Sequence, residues 1–520
     1  MEESRVNKSL KNTGFGVIGM ALSLLVQFIS RTVFIKLLGD EYNGINGLFS
    51  NILYVLNVAE LGVAYSIAYA LYAPLQEENR DKICAIMNFL RRTYYVVALV
   101  VAVAGLACTP FLQYLIKEDL SELPFALRQI RIYFLIYLAN TVFSFIWSYK
   151  RTIVTADQRA YIVSNADNVS NIILYVVQIA LLFIWKNYYL YLGLMVAKTV
   201  VTNVIITALA DKRYPYLRKG VKLCVDKEEK KKIVKNVAAL FSHKFGGVVI
   251  YGTTTIIISA FVGVVEAGWY SNYLLIVHAV AAFINIIFNS ITASVGNLCV
   301  TADKERQRKV FERTSYATYA LTVLTFVCYV ILFNDFIGLW VGKDKIFPLA
   351  VVVMIAISAV QNTLRSATNT FKNAQGLFTK DWYKSLVEAG MGIVLAIAFS
   401  YPWGVFGVIL GYSLASLVVA LPIENIVLFK HGFGAAGKPL AMQFLRLLWA
   451  IVQAAAFAAL AYFICSFLPQ NGVLWFAVKT AIALAISVGG YVLLSFRGDG
   501  FKYYTGLALK LLKKPFKKKS

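Results

Sequence analysis

Five basic residues stand inside long apolar stretches of this chain: Arg31, Arg131, Lys198, Lys244 and Arg365. A cation at the centre of a membrane helix costs about 2.5–3.5 kcal/mol on insertion scales. These five are therefore expected to face protein or water and to meet negative charge. Lys36, Arg128 and Lys479 lie closer to the ends of their stretches, where a long stem carries the head group to water. Two carboxylates, Glu60 and Asp167, lie at comparable depth. They are either salt-bridge partners of the cations or titratable couplers to a proton or sodium gradient, and the partner role is preferred.

Polar stripes accompany these charges. Ser23, Gln27, Ser30 and Arg31 share one helical face, as do Asp167, Asn168, Asn171, Tyr175 and Gln178. Asn285 and Asn289 repeat the pattern, as do Gln361, Asn362 and Arg365, while Asn43, Asn51, Asn57 and Glu60 mark a second early stretch. The stripes are read as the lining of a polar cavity, with Gln27, Asn51, Asn57, Asn168, Asn171, Asn285, Asn289, Gln361 and Asn362 as its amides. Any single amide is equally well explained as a hydrogen bond between helices.

Composition says what must carry these residues. Of 520 residues 59% are hydrophobic and only 15% charged, with a mean hydropathy of +0.66. Soluble domains average about 25% charged residues, so this is an integral membrane protein built of helices. Breaks at charges, Gly and Pro mark about fourteen stretches of the length that a spanning helix needs. They cover 13–38, 43–73, 89–115, 125–149, 161–185, 189–210, 237–263, 269–298, 314–339, 347–371, 383–400, 404–429, 440–467 and 472–496. The polar start before residue 13 and the length of the first stretch predict a retained membrane helix rather than a signal peptide.

The net charge of +24 sorts by side. With the N-terminus inside, 39 Lys and Arg fall in inner segments and 4 in outer loops, so both termini are expected in the cytoplasm. Arg151, Lys372 and Lys384 are counted among the inner cations. The basic segment 211–236 and the tail 498–520 are read as inner-side charge attracted to anionic lipid, not as a nucleic-acid surface. Six scattered cysteines and three histidines offer no metal-ligand spacing. Gly432 to Lys438 matches a phosphate-loop spacing, but Pro439 stands where the magnesium-binding hydroxyl belongs. Short outer loops leave no place for a catalytic domain. No enzyme activity, cofactor or metal is expected, apart from ion coupling.

A repeat is also visible. Gly39 and Gly44 bound one elbow between apolar stretches, and Gly263 and Gly268 bound another. Six stretches precede 211–236 and six of those after it form the second copy, so the copies have the same orientation, related by an axis along the membrane normal. The expected organisation is a six-helix bundle over 1–210, a basic linker over 211–236, and a second six-helix bundle over 237–430. Two further helices over 431–497 and the basic tail complete it.

Arg31 to Gly39, Glu41 to Gly47, Asn57 to Gly62, Ala156 to Arg159 and Gly263 to Asn272 stand in an order that resembles the bacterial polysaccharide flippases of the Wzx type. These belong to the multidrug/oligosaccharidyl-lipid/polysaccharide (MOP) superfamily, and the resemblance covers about 10–430. It implies a MATE-like pair of bundles that rock between inward- and outward-open states in the bacterial cytoplasmic membrane. It also implies an undecaprenyl-diphosphate-linked oligosaccharide as substrate, with Arg31, Lys198, Lys244 and Arg365 around the diphosphate. Glycosyltransferases and a polymerase of the same pathway would be partners, and the carrier would be a monomer. Two related activities share the fold: a proton- or sodium-coupled MATE multidrug antiporter, and a flippase of the peptidoglycan lipid precursor.

Overall fold

The computed structural model describes residues 5–513 apart from 61–62, 120, 122, 219–222, 378–379 and 470–471. Some further side chains, among them those of 5–18, 238–244, 289–290 and 510–513, lie outside the description. The described residues contain helices and no strands. In hydrocarbon every backbone N–H and C=O must be satisfied within its own segment, which a helix does.

In chain order the α-helices are α1 (Arg5–Leu38), α2 (Asp40–Leu56), α3 (Val63–Gln76), α4 (Arg80–Cys108), α5 (Leu127–Ile146) and α6 (Tyr149–Ala156). They continue as α7 (Ala160–Trp185), α8 (Tyr188–Arg213), α9 (Lys227–Phe261), α10 (Val264–Thr301), α11 (Lys304–Trp340) and α12 (Leu349–Ala374). The last are α13 (Lys384–Ala415), α14 (Leu421–Val427), α15 (Lys438–Ser466), α16 (Val473–Leu484), α17 (Gly490–Ser495) and α18 (Asp499–Lys513). Side-chain caps fix several starts: Asn79 accepts from the Lys82 amide (3.0 Å) and Asp303 from that of Arg306 (2.7 Å).

Eleven helical runs among the described residues are long and apolar enough to cross a membrane. The remaining expected spans take other forms. The stretch 43–73 is a broken helix, in which a 3₁₀ turn over Asn57–Glu60 follows α2. The apolar part of α9 is the shorter segment Phe245–Phe261. The stretches 383–400 and 404–429 lie in one continuous run, Lys384–Phe433. Gly404 interrupts that run at φ 54°, a backbone conformation that glycine adopts without strain, two residues after Pro402.

The chain divides into two compact units, Met1–Ser271 and Asn272–Ser520. The division falls after the second elbow because that elbow is packed against the first. A Cβ on Gly44 would stand 1.9 Å from the Val264 carbonyl oxygen, and one on Gly268 would stand 3.0 Å from that of Asp40. The two contacts are reciprocal: Val264 is to Asp40 as Gly268 is to Gly44, and as Gly263 is to Gly39, along the chain. The same offset relates Gly47 to Ser271, whose Cβ lies 3.6 Å from a Cβ built on Gly47. Such self-complementary pairing is what a two-fold relation between the two elbows produces, and their glycines form a seam.

Polar contacts fasten the seam. Asn43, fully buried, donates from Nδ2 to the Gly268 carbonyl (2.9 Å). The Glu118 carboxylate accepts from the Val264 amide at the start of α10, where negative charge is favoured. The Ser259 hydroxyl donates to the Leu115 carbonyl (2.7 Å) and the Lys117 amide to the Ser259 carbonyl (3.1 Å).

In the second unit, α15 and α16 dock on α11. Lys479 Nζ meets Asp335 Oδ2 at 2.6 Å, Gln443 Nε2 donates to the Tyr319 hydroxyl (2.9 Å), and Arg446 pairs with Glu312 at 3.1 Å. The Tyr491 hydroxyl donates to the Tyr316 carbonyl (2.9 Å), so polar contacts recur along the length of α11.

Gly44→Ala places a methyl group inside a backbone contact and should lower stability by about 1–3 kcal/mol, the usual cost of overpacking. Gly193→Ala, with nothing within 4 Å, should be neutral. Thermal unfolding of the two purified variants checks the difference.

Candidate functional site

Arg31 ends the polar stripe of α1. Its electrostatic neighbours are four tyrosines, Tyr137 of α5, Tyr175 of α7, and Tyr188 and Tyr191 of α8. The rings are held by one another and by Phe34: Phe34 to Tyr191 is 4.8 Å, Tyr133 to Tyr188 is 4.7 Å, and Tyr42 to Tyr188 is 5.1 Å between centroids. Edge-on and tilted contacts of this kind leave little rotational freedom. A guanidinium is thus set in a rigid shell of phenol groups.

Further along the same polar face lie Asp167, Lys198 and Arg151. Arg151 Nη1 donates to both oxygens of Asp167 (3.0 and 2.8 Å). Its Nε and Nη2 donate to Asn203 Oδ1 (3.0 and 2.8 Å). Lys198 lies within electrostatic reach of both Asp167 and Arg151. Glu60, just after the break in the second stretch, accepts from the Tyr94 hydroxyl (3.2 Å) and also senses Arg151. The expected partner role of Asp167 thus has a counterpart in Arg151, which spacing alone had assigned to the inner loop. It follows Lys150 directly, and nothing in the sequence separates Lys150, which pairs with Asp211, from Arg151, which pairs with Asp167.

The second unit treats its charges differently. Arg365 Nε and Nη2 donate to Glu424 (2.8 and 2.6 Å), and Nη1 donates to Glu388 (3.2 Å) and the Ser416 hydroxyl (2.9 Å). Lys384 also pairs with Glu424, and Lys372 with Asp381. Lys372, Asp381 and Glu424 have no appreciable exposure. Three cations and three carboxylates from α12, α13, α14 and the α12–α13 connection balance one another. The sequence places Arg365 in the diphosphate clamp and Lys372 and Lys384 among the inner-side cations. The geometry revises this, because the guanidinium of Arg365 is already engaged along its length. The only local hint was the spacing of Lys384 and Glu388, one helical turn apart.

The amides separate into several roles. Gln361 is buried and donates to the Ser413 carbonyl (3.2 Å), and Gln178 donates to the Tyr191 carbonyl (3.0 Å); both join helices. Asn51 donates to its own helix at Gly47 (2.8 Å). Asn168 lies against Gly19 of α1, whose Cβ would stand 2.5 Å from its Nδ2. Gln27, Asn57 and Asn171 are half-buried, and Asn285 and Asn362 are exposed. The side chains of Lys244 and Asn289 lie outside the described residues. Among the described residues no group of three or more His, Cys, Asp or Glu is placed to hold a metal ion.

No protein-family model matches the chain, and no curated protein matches it. Solved structures do. A structure titled lipid II flippase MurJ, inward closed conformation, is 14% identical over 95% of this chain and 99% of that one, with a TM-score of 0.62. An inward-facing multidrug resistance MATE family transporter of the MOP superfamily is 12% identical over 84% and 95%, with a TM-score of 0.61. A Vibrio cholerae MATE transporter is 11% identical over 82% and 98%, with a TM-score of 0.57. At these identities the likeness is one of fold: the chain is a multi-pass helical membrane protein with the fold of the MOP-superfamily transporters and flippases.

Proposed function

We propose that this protein is a flippase that moves an undecaprenyl-diphosphate-linked oligosaccharide from the inner to the outer leaflet of the bacterial cytoplasmic membrane, serving polysaccharide synthesis. The observation that carries this reading is Arg31 within its tyrosine shell. A guanidinium binds phosphate oxygens in a fork geometry that a lysine cannot reproduce. Tyrosine hydroxyls can hydrogen-bond sugar hydroxyls, and Tyr175 and Tyr191 are the less buried of the four. The prenyl tail needs no site, because it stays in lipid.

Two repeats of six spans are the moving parts, and alternating access is the mechanism. With both termini inside, as the charge asymmetry predicts, the glycine seam between the two elbows lies on the outer side. Flipping then requires this seam to part. The pair Glu60 and Asp167 favours a second reading, the proton- or sodium-coupled multidrug antiporter, since carboxylates suit cationic drugs. A peptidoglycan-precursor flippase would share the Arg31 site and differ in that its depletion is lethal.

Arg31→Ala should abolish surface glycan while leaving protein abundance unchanged, and Arg31→Lys should restore only part of it. Retained export with Arg31→Ala, or loss of drug resistance instead, would favour the antiporter. Arg365→Ala is expected to act otherwise. Breaking a buried ion network leaves charge uncompensated at a cost of about 3–5 kcal/mol, so the protein itself should decline, as read by membrane abundance and thermal unfolding. Gly47→Cys with Ser271→Cys provides Cβ atoms at a spacing suited to a disulfide. The oxidised pair should block export and reductant should restore it.

A further inference from the structure

Arg151 is held by two partners of different kinds. Asn203, only 3% exposed, takes one edge of the guanidinium on its Oδ1. Its own Nδ2 donates to the carbonyls of Phe143 and Ser144 (3.3 Å each), so a neutral amide ties this edge to α5 and α8. The remaining nitrogen, Nη1, carries both oxygens of Asp167. The side chains of Arg151 and Asp167 keep 25% and 33% of their exposure, far more than the ion pairs around Glu424. The amide is the fixed support and the carboxylate is the partner that can leave.

Position separates this pair from Arg31. Asp167 precedes Tyr175 by eight residues on α7, and Lys198 follows Tyr191 by seven on α8. At 1.5 Å per residue these are separations of about 10–12 Å along the helices, longer than a diphosphate. Arg31 senses the tyrosines, whereas Lys198 senses Asp167 and Arg151. The two sets of contacts are thus centred at different heights along α7 and α8.

We propose that Arg151 and Lys198 form a second phosphoryl-binding station, supported by Asn203, in which Asp167 holds the place of the phosphate. A phosphate offers Nη1 the same charge-assisted contact that the two Asp167 oxygens make there. A diphosphate carries more charge and displaces the carboxylate, then passes along the face shared by α7 and α8 to Arg31. The proposal rests on the reading of this protein as a carrier of a diphosphate lipid. It adds a residue that no spacing marked and turns Asp167 from a structural counter-ion into a competitor of the ligand.

The test is calorimetric titration of the purified full chain with inorganic pyrophosphate and, separately, with farnesyl diphosphate in detergent. Asp167→Asn removes the competing charge and should bind pyrophosphate at least about tenfold more tightly, given the strength of a unit charge at contact distance. An ion pair with no anion site beside it would show no saturable pyrophosphate binding in either form. Arg151→Gln should lose most of the binding, Lys198→Gln a smaller part, and Arg151→Gln should cancel the gain of Asp167→Asn. Asp167→Ser serves if the asparagine variant does not fold. Unchanged or weaker binding by the Asp167 variants, with unfolding unaltered, overturns the station. If Arg31→Ala still weakens binding in that case, the diphosphate reading stands without it. If wild type binds neither probe, that reading falls and the station with it. Tighter binding of the prenyl probe assigns the station to a lipid headgroup; equal binding assigns it to a soluble diphosphate and removes it from the lipid path.

Discussion

The cost of a charge in hydrocarbon constrains this molecule more than any other single term. A protein that must keep cations in its interior has two ways to meet that cost: neutralise them permanently or leave them a partner that can be exchanged. The two units divide these solutions between them. Around Glu424 the second unit balances three cations against three carboxylates with almost no exposure. Such a network contributes specificity of packing and leaves no net charge to offer a ligand. The first unit keeps Arg31 among tyrosines and Arg151 on a carboxylate that retains a third of its exposure.

The position of charge in sequence and its pairing in space were unequally legible. Depth could be read from the apolar stretches, and it marked Arg31, Lys198 and Arg365 as residues needing explanation. Partners could not be read, because they come from far along the chain: Glu424 lies 59 residues from Arg365, and Asp335 lies 144 from Lys479. Arg151 escaped notice because a cation at the end of an apolar stretch looks like any other inner-side cation. The same limit applied to the amides. Asn51, Gln361 and Asn362 have identical claims in a helical stripe, yet one bonds its own helix, one bridges to a neighbour and one is exposed.

The repeat was better encoded. Glycine pairs at equal spacing marked both elbows, and the close approach of backbones there explains why glycine occupies those positions. What the spacing could not show was that the two elbows meet each other. The broken second stretch carried only weak marks: Asn57 and Glu60 interrupt the apolar run, and the 3₁₀ turn falls on them.

The reciprocal contacts of the glycine seam bear on ancestry. A contact in which each partner presents the same patch to the other is the contact that a symmetric homodimer makes. A half-length chain with this elbow could have met a second copy of itself through it, in the same orientation in the membrane. Fusion of two such genes would preserve the seam while freeing the rest of each copy to diverge. On that history the seam is the feature the two copies would still share, and the balanced network of one half and the partly exposed ion pair of the other are where they differ.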